Sequence, residues 1–119
     1  MSYLWVFIGG GLGSLFRYGI AKALAAQALN FPLATLLANI LSCILLGFLV
    51  GYEMRSGLAI HWRLLLLTGF CGGFSTFSTF SFETFELFQT GQTGYALLNI
   101  GASLIICLGG IYLGMKLGS

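Results

Sequence analysis

The segment from Gly69 to Glu83 has an unusual composition for an apolar chain, because it combines three glycines, five hydroxyl residues and one carboxylate. In hydrocarbon every backbone N–H and C=O group needs a partner. Polar or irregular backbone is therefore tolerated only where protein buries it or water reaches it. The composition of this segment predicts a site that handles something other than lipid.

Two aromatic rings in this segment, Phe77 and Phe80, are three residues apart and therefore share a helix face. Such spacing usually reflects core packing, but here hydroxyl residues surround the pair. The edge of a phenyl ring is electropositive, so ring edges turned toward a pore can accept a small anion. We predict that both rings line an ion path and that Glu83, about one turn further on, marks its other end. The surrounding hydroxyl residues are Ser75, Thr76, Ser78 and Thr79.

The pair Gly72-Gly73 predicts an interruption of the third helix near mid-membrane, because glycine weakens helix continuity. An unwound turn at that point exposes carbonyl oxygens, which are good ligands for Na⁺ or K⁺. The alternative is that the two glycines only allow a neighbouring helix to approach closely.

Two further polar residues fall inside predicted helices. Arg17, in the first helix, either extends its side chain to the interface or sets a positive potential that attracts anions to a pore mouth. Asn39, in the second helix, either donates its amide N–H groups to an anion or makes a helix–helix hydrogen bond. Thr35 and Ser42 lie about one turn to either side of it. A mildly polar stripe on the fourth helix consists of Asn99, Ser103 and Cys107.

The elements that position these residues must be membrane helices. Of the 119 residues 58% are hydrophobic and only 7% are charged, whereas soluble domains carry roughly 25% charged residues. A net charge of +2 without clustered Lys and Arg argues against nucleic-acid binding. No nucleophile–base pair or metal-ligand set is visible, so we do not expect an enzyme.

The three cysteines lie in apolar segments without a CxxC motif, which favours packing roles over disulfides.

Four apolar segments are each long enough to cross a bilayer, which takes about 20 residues. They cover about residues 3–25, 33–53, 63–89 and 94–116, so the chain 1–119 is predicted to be one all-α transmembrane domain. The first segment has no basic start and no small-residue cleavage site, so we expect it to be retained as a helix.

Glycine is abundant, at 18 of 119 residues, and often recurs four residues apart. In lipid, small residues at this spacing let helix backbones approach closely. The spacing predicts tight helix packing without indicating which helices are paired. The glycine pairs are Gly9/Gly13, Gly47/Gly51, Gly69/Gly73 and Gly110/Gly114.

The basic residues are few and nearly balanced across the membrane. Arg55, Arg63 and Lys116 fall on one side of the predicted spans, Lys22 falls on the other, and Arg17 lies in the far half of the first helix. An excess of Lys and Arg normally sets orientation. Because the excess here is small, the chain either inserts in both orientations or takes one fixed orientation with few charges to set it.

Three motifs in order resemble the Fluc/CrcB family of fluoride channels, and the resemblance covers the chain in length and number of spans. The first is Gly-Gly-x-x-Gly-x-x-x-Arg-Tyr at residues 9–18, and the second is Thr-Leu-x-x-Asn at residues 35–39. The third is Gly-Phe-Cys-Gly-Gly-Phe-Ser-Thr-Phe-Ser-Thr-Phe at residues 69–80.

The resemblance implies a passive fluoride-selective channel in the cell inner membrane that exports cytoplasmic fluoride and so reduces its toxicity. It also implies an antiparallel, dual-topology homodimer with two pores and a structural Na⁺ at its centre. This fits the small size of the chain, since four tightly packed helices leave no central hole and a second copy would supply the missing walls.

The resemblance further implies roles for individual residues. Asn39, Phe77 and Phe80 would line the pore, and Arg17 would stand at its vestibule. The carbonyls of Gly72 and Ser75 would hold Na⁺. Cys107 occupies a fourth-helix position where a hydroxyl is expected. The polar track beside the rings would comprise Ser78, Thr79, Glu83 and Ser103.

One alternative is a proton-coupled exporter of the small multidrug-resistance type, which also has four short helices in an inverted dimer. That chemistry needs a carboxylate deep in the first helix, whereas this first helix has no acid and carries Arg17. Another alternative, a non-transporting helical subunit of a larger complex, would not need the polar third helix.

Overall fold

The structure, a computed structural model, describes residues 1–25 and 32–119. Every regular element in these residues is helical, and four helical spans are long and apolar enough to cross a membrane, which confirms the prediction of an all-α membrane protein. The predicted connection from Gln27 to Pro32 lies, up to residue 31, outside the described residues. The four spans are Ser2–Leu24, Leu33–Ser56, Ile60–Gln89 and Thr93–Gly118.

The first, second and last spans are single helices, which we label α1 (Ser2–Leu24), α2 (Leu33–Ser56) and α6 (Thr93–Gly118). Gly57 ends α2 with a left-handed φ of 77°, a conformation that glycine adopts without steric cost. An ion pair of 3.3 Å between Arg63 and Glu53 joins the end of α2 to the start of the third span.

The third span is assembled from several pieces. After Phe74 the backbone becomes extended at Ser75 (φ −88°, ψ 153°) and Thr76 (φ −151°, ψ 124°). We call these two residues the extended step. Helical structure resumes at Phe77. The helical pieces in order are α3 (Ile60–Trp62), a π-helical segment (Arg63–Cys71), α4 (Gly72–Phe74) and α5 (Phe77–Gln89).

The position predicted for the interruption, Gly72-Gly73, is wrong, because both glycines are helical. Gly73 is required for contact with α1, where an added Cβ would collide with the carbonyl of Gly10. The chain leaves the helix at the extended step instead. There the Thr76 side chain caps α5 by accepting a hydrogen bond from the Thr79 N–H at 3.3 Å.

The helices pack mainly as two pairs. In one pair α1 lies along the first half of the third span, and in the other α2 lies along α6. Glycines allow backbone contact in both pairs. An added Cβ on Gly13 would collide with the Phe70 carbonyl, and one on Gly114 would collide with the Ile44 carbonyl. Close packing of this kind holds helices together in lipid, where the hydrophobic effect does not.

Candidate functional site

Two polar side chains of α2, Asn39 and Ser42, contact the third span around the extended step. Ser42 Oγ donates to the Cys71 carbonyl at 3.1 Å, and Asn39 Oδ1 accepts from the Thr76 N–H at 3.0 Å. The backbone around the extended step is therefore satisfied in part by side chains of another helix, as buried backbone requires.

Two backbone donors that a continuous helix would use internally are diverted. The Thr76 N–H would reach the Gly72 carbonyl in an α-helix, but it donates to Asn39. The Thr79 N–H would reach the Ser75 carbonyl, but it donates to Thr76 Oγ1. The carbonyl oxygens of Gly72 and Ser75 are thereby left without their helical donors.

The Gly73 carbonyl, which follows that of Gly72, has a partner on another helix. Arg17 Nε donates to the Gly73 carbonyl at 3.2 Å, and the Arg17 side chain is half-buried. The guanidinium charge thus lies beside the helix that precedes the extended step. The structure connects Arg17 to the third span, and its vestibule role stays a prediction.

A cavity of about 260 Å³ opens beside the extended step. It is lined by five of the residues predicted to form the site. The Phe77 and Phe80 ring centroids are 5.7 Å apart with an interplanar angle of 39°, so the two rings share a face. Phe77 is 78% exposed in the single chain. The five predicted residues that line the cavity are Asn39, Ser75, Phe77, Phe80 and Ser103.

Three predicted track residues do not line this cavity: Ser78, Thr79 and Glu83. Ser78 and Thr79 instead lie around the Thr76 hydroxyl, with Oγ–Oγ1 and Oγ1–Oγ1 distances of 3.1 and 3.4 Å. Glu83 lies next to Thr35, and its Oε1 is buried without a hydrogen-bond partner among the described residues. One carboxylate oxygen of Glu83 is therefore a buried acceptor that the described part of the chain leaves without a donor.

Comparison with known proteins identifies the family. Residues 4–115 match the family described as CrcB-like protein, Camphor Resistance (CrcB). This chain belongs to the CrcB family.

Curated relatives in the CrcB family carry a more specific name. Proteins called fluoride-specific ion channel FluC from Prosthecochloris aestuarii and Pyrococcus abyssi are both 44% identical to this chain, over 98% and 96% of it and 91% and 93% of their own lengths. A protein of the same name from Coxiella burnetii is 40% identical over 99% of this chain and 98% of its own. The resemblance inferred from the motifs is confirmed, and the chain is a multi-pass membrane protein.

A buried hydrogen-bond chain in this CrcB-family structure was only partly foreseen from the sequence. Asn99, which is 1% exposed, donates from Nδ2 to Thr84 Oγ1 at 2.9 Å, and Thr84 donates to the Phe80 carbonyl at 2.8 Å. Ser103 Oγ donates to Asn99 Oδ1 at 3.4 Å. These hydrogen bonds connect α6 to Phe80, whose ring lines the cavity. The four-residue spacing of Asn99 and Ser103 was visible in the sequence, but their contact with Thr84 was not.

Replacing Asn99 by Ala is expected to lower the free energy of unfolding by about 1–2 kcal/mol, because it leaves the buried Thr84 and Ser103 hydroxyls without this partner. Thermal unfolding of the purified protein in detergent measures the effect. Thr90→Ala, which removes hydrogen bonds of an exposed side chain at the end of α5, is the control and is expected to change stability far less. Equal losses in the two variants would contradict a stabilising role for the network.

Proposed function

We propose that this chain is a passive, fluoride-selective channel that exports cytoplasmic fluoride, and that it works as an antiparallel homodimer with two pores. The observation that carries the proposal is the cavity at the extended step, where an amide group, hydroxyls and two phenyl rings meet. The matched CrcB-family relatives are named fluoride-specific ion channels.

The cavity offers the groups that a desolvated fluoride ion needs. Asn39 is held by its Oδ1, which accepts from the Thr76 N–H. Its Nδ2 group is thereby left as a donor for an anion. The tilted Phe77 and Phe80 rings add electropositive edges without strong acceptor groups. Such a lining replaces water around a small anion and gives a cation little to bind.

Apolar side chains complete the lining and restrict the water that enters. Leu104, Leu108 and Ile111 of α6 line the same cavity as the polar groups. In a low-dielectric setting the fixed donors interact with an ion more strongly than they would in water. A narrow path of this kind favours the smaller halide, and on this basis we propose selectivity against chloride.

The export direction follows from the membrane potential. Fluoride crosses as neutral HF from an acidic exterior and dissociates inside, and a negative interior then drives the anion out. The driving free energy is about 2.3 kcal/mol per charge per 100 mV. No ATP or coupled ion is required. The multidrug-type exporter is not favoured, because α1 contains no carboxylate.

A second, inverted copy would complete each pore. In one chain Phe77 is 78% exposed and the cavity is not enclosed. Arg55, Arg63 and Lys116 exceed Lys22 and Arg17 by only one charge, and so small an excess favours insertion in both orientations. An antiparallel pair then has its two-fold axis in the membrane plane and brings the two mid-membrane breaks in the third helices together.

A sodium ion at the centre of this dimer fits the donor set. Na⁺ is a hard cation that carbonyl oxygens coordinate well. The Gly72 and Ser75 carbonyls have lost their helical donors, whereas the Gly73 carbonyl is occupied by Arg17. The side of Gly72 where a Cβ would stand is open, with nothing within 4 Å. We propose that Gly72 and Ser75 from both copies hold the ion.

The direct test is ion efflux from liposomes that contain only this protein. We expect rapid fluoride efflux and no measurable chloride efflux under an imposed potential. Equal efflux of both halides would contradict the selectivity, and no efflux of either would contradict the channel.

Phe80→Ile is expected to reduce fluoride efflux by about tenfold or more, because an aliphatic side chain lacks the electropositive ring edge. The matched control is Phe82→Ile on the same helix, whose ring is 63% exposed and does not line the cavity. Fluoride-electrode recordings on liposomes measure both variants. Equal rates in Phe80→Ile and wild type would remove this ring from the proposed path.

A further inference from the structure

Two cysteines from different helices meet at the cavity. Cys43 on α2 and Cys107 on α6 both line it, so two thiol groups from facing helices share one cavity. Both are free thiols and both are half-buried. The third cysteine, Cys71, is almost fully buried and does not line the cavity.

The backbones that carry this pair are held in fixed positions. An added Cβ on Gly110, one turn after Cys107, would stand 3.6 Å from the Cys43 Cβ. One turn further on, Gly114 packs directly on the Ile44 carbonyl. The tightest backbone contact between α2 and α6 therefore lies about two turns after Cys107, and the spacing between the two cysteines is set by helix packing instead of by a mobile loop.

We propose that Cys43 and Cys107 form a two-sulfur binding site for a soft divalent metal ion of the Hg²⁺ type, and that an ion bound there blocks the cavity. Thiolate sulfur selects soft metals over hard ones. The described residues contain no group of three or more His, Cys, Asp or Glu that could hold a metal, so tetrahedral zinc coordination is not supported. Two sulfurs suffice for a thiophilic ion that prefers linear coordination.

The binding step is balanced in charge. One divalent ion replaces the two thiol protons and forms two metal–sulfur bonds, and both protons leave to solvent. The product is electrically neutral. Neutrality is important at this position, because a net charge in a low-dielectric interior is expensive. A monovalent soft ion that displaced both protons would leave one negative charge in the cavity and is expected to bind less tightly.

The metal ion would occupy the same space that we propose for the anion path. Cys43 lies one turn after Asn39 on α2, and Cys107 lies one turn after Ser103 on α6. All four residues line the same cavity of about 260 Å³. Occupancy by a metal ion is therefore expected to stop fluoride flux, and this part of the inference rests on the proposed function.

The first test is titration of the purified protein with Hg²⁺ in chloride-free buffer, followed by calorimetry and by the ultraviolet absorbance of metal–sulfur bonds. We expect one tight site per chain in wild type and in Cys71→Ser. Cys43→Ser and Cys107→Ser are each expected to bind at least 100-fold more weakly. Equal affinity in all four proteins, or a tight site lost only in Cys71→Ser, would overturn the proposal.

The second test measures fluoride efflux with and without stoichiometric Hg²⁺, each variant being normalised to its own metal-free rate. We expect at least a tenfold loss in wild type and in Cys71→Ser, and less than a twofold loss in Cys43→Ser and Cys107→Ser. Tight binding without inhibition would overturn the blocking role. Absence of fluoride efflux in metal-free wild type would instead contradict the proposed function, and the titration would still decide the metal site.

Discussion

Asn39→Asp is expected to lower fluoride efflux by about 100-fold or more while leaving the fold intact. The carboxylate keeps an oxygen that can accept from the Thr76 N–H, so the contact of α2 with the extended step is retained. The substitution removes the amide donor and places a negative charge on the proposed anion path. A like charge about 4 Å away costs about 4 kcal/mol at an effective dielectric constant near 20, and every 1.4 kcal/mol is roughly a tenfold change in rate.

Liposome efflux of fluoride measures this effect, and thermal unfolding in detergent verifies the fold. Asn39→Ala is the informative companion, because it removes both the donor and the acceptor. It is expected to lose efflux and also about 1–2 kcal/mol of stability, since the Thr76 N–H then lacks its partner. If Asn39→Asp transports fluoride like the wild type, Asn39 serves helix packing alone.

Gly114→Ala is expected to destabilise the protein by about 3 kcal/mol or more, the upper range for overpacked sites. The added Cβ would collide with the Ile44 carbonyl and lie 2.8 Å from the Phe48 nitrogen. Both obstacles are backbone atoms, so no side-chain rotation relieves them. The whole α2–α6 pair must separate, and the cavity that lies between these helices is distorted with it.

Gly109→Ala on the same helix is the matched control, because nothing lies within 4 Å of the position of its Cβ. Its stability is expected to stay within about 1 kcal/mol of wild type, the helix-propensity difference between Gly and Ala. Melting temperature and monodispersity in detergent distinguish the two variants. Similar melting temperatures for both would show that the α2–α6 contact tolerates separation.

The sequence predicted the helical spans well, because apolar runs of the required length are local features. It also predicted that Phe77 and Phe80 share a face and that Asn39 and Ser42 lie on a common stripe, since helix periodicity fixes both. It placed the interruption of the third span at Gly72-Gly73, where glycine content alone suggested weakness.

That misplacement has a tertiary cause. Gly73 is needed as a small residue against Gly10 of α1, and a helical backbone brings it there. The Thr76 hydroxyl caps α5 by accepting from the Thr79 N–H, and the Thr76 N–H donates to Asn39 Oδ1. A capping threonine before Phe77 is a signal that the sequence contained and that the glycine argument missed.

The sequence by itself determined that this is an α-helical membrane protein, and it supplied the side chains that we propose for the ion path, because span length, helix periodicity and side-chain chemistry are all local properties. Only the tertiary structure decided which of those side chains meet. Asn39 reaches the Thr76 N–H, Asn99 reaches Thr84, and Cys43 and Cys107 line one cavity, although the members of each pair lie on different helices. Such pairings depend on how closely glycine lets two helix backbones approach, and that distance is set by packing between helices and not within one.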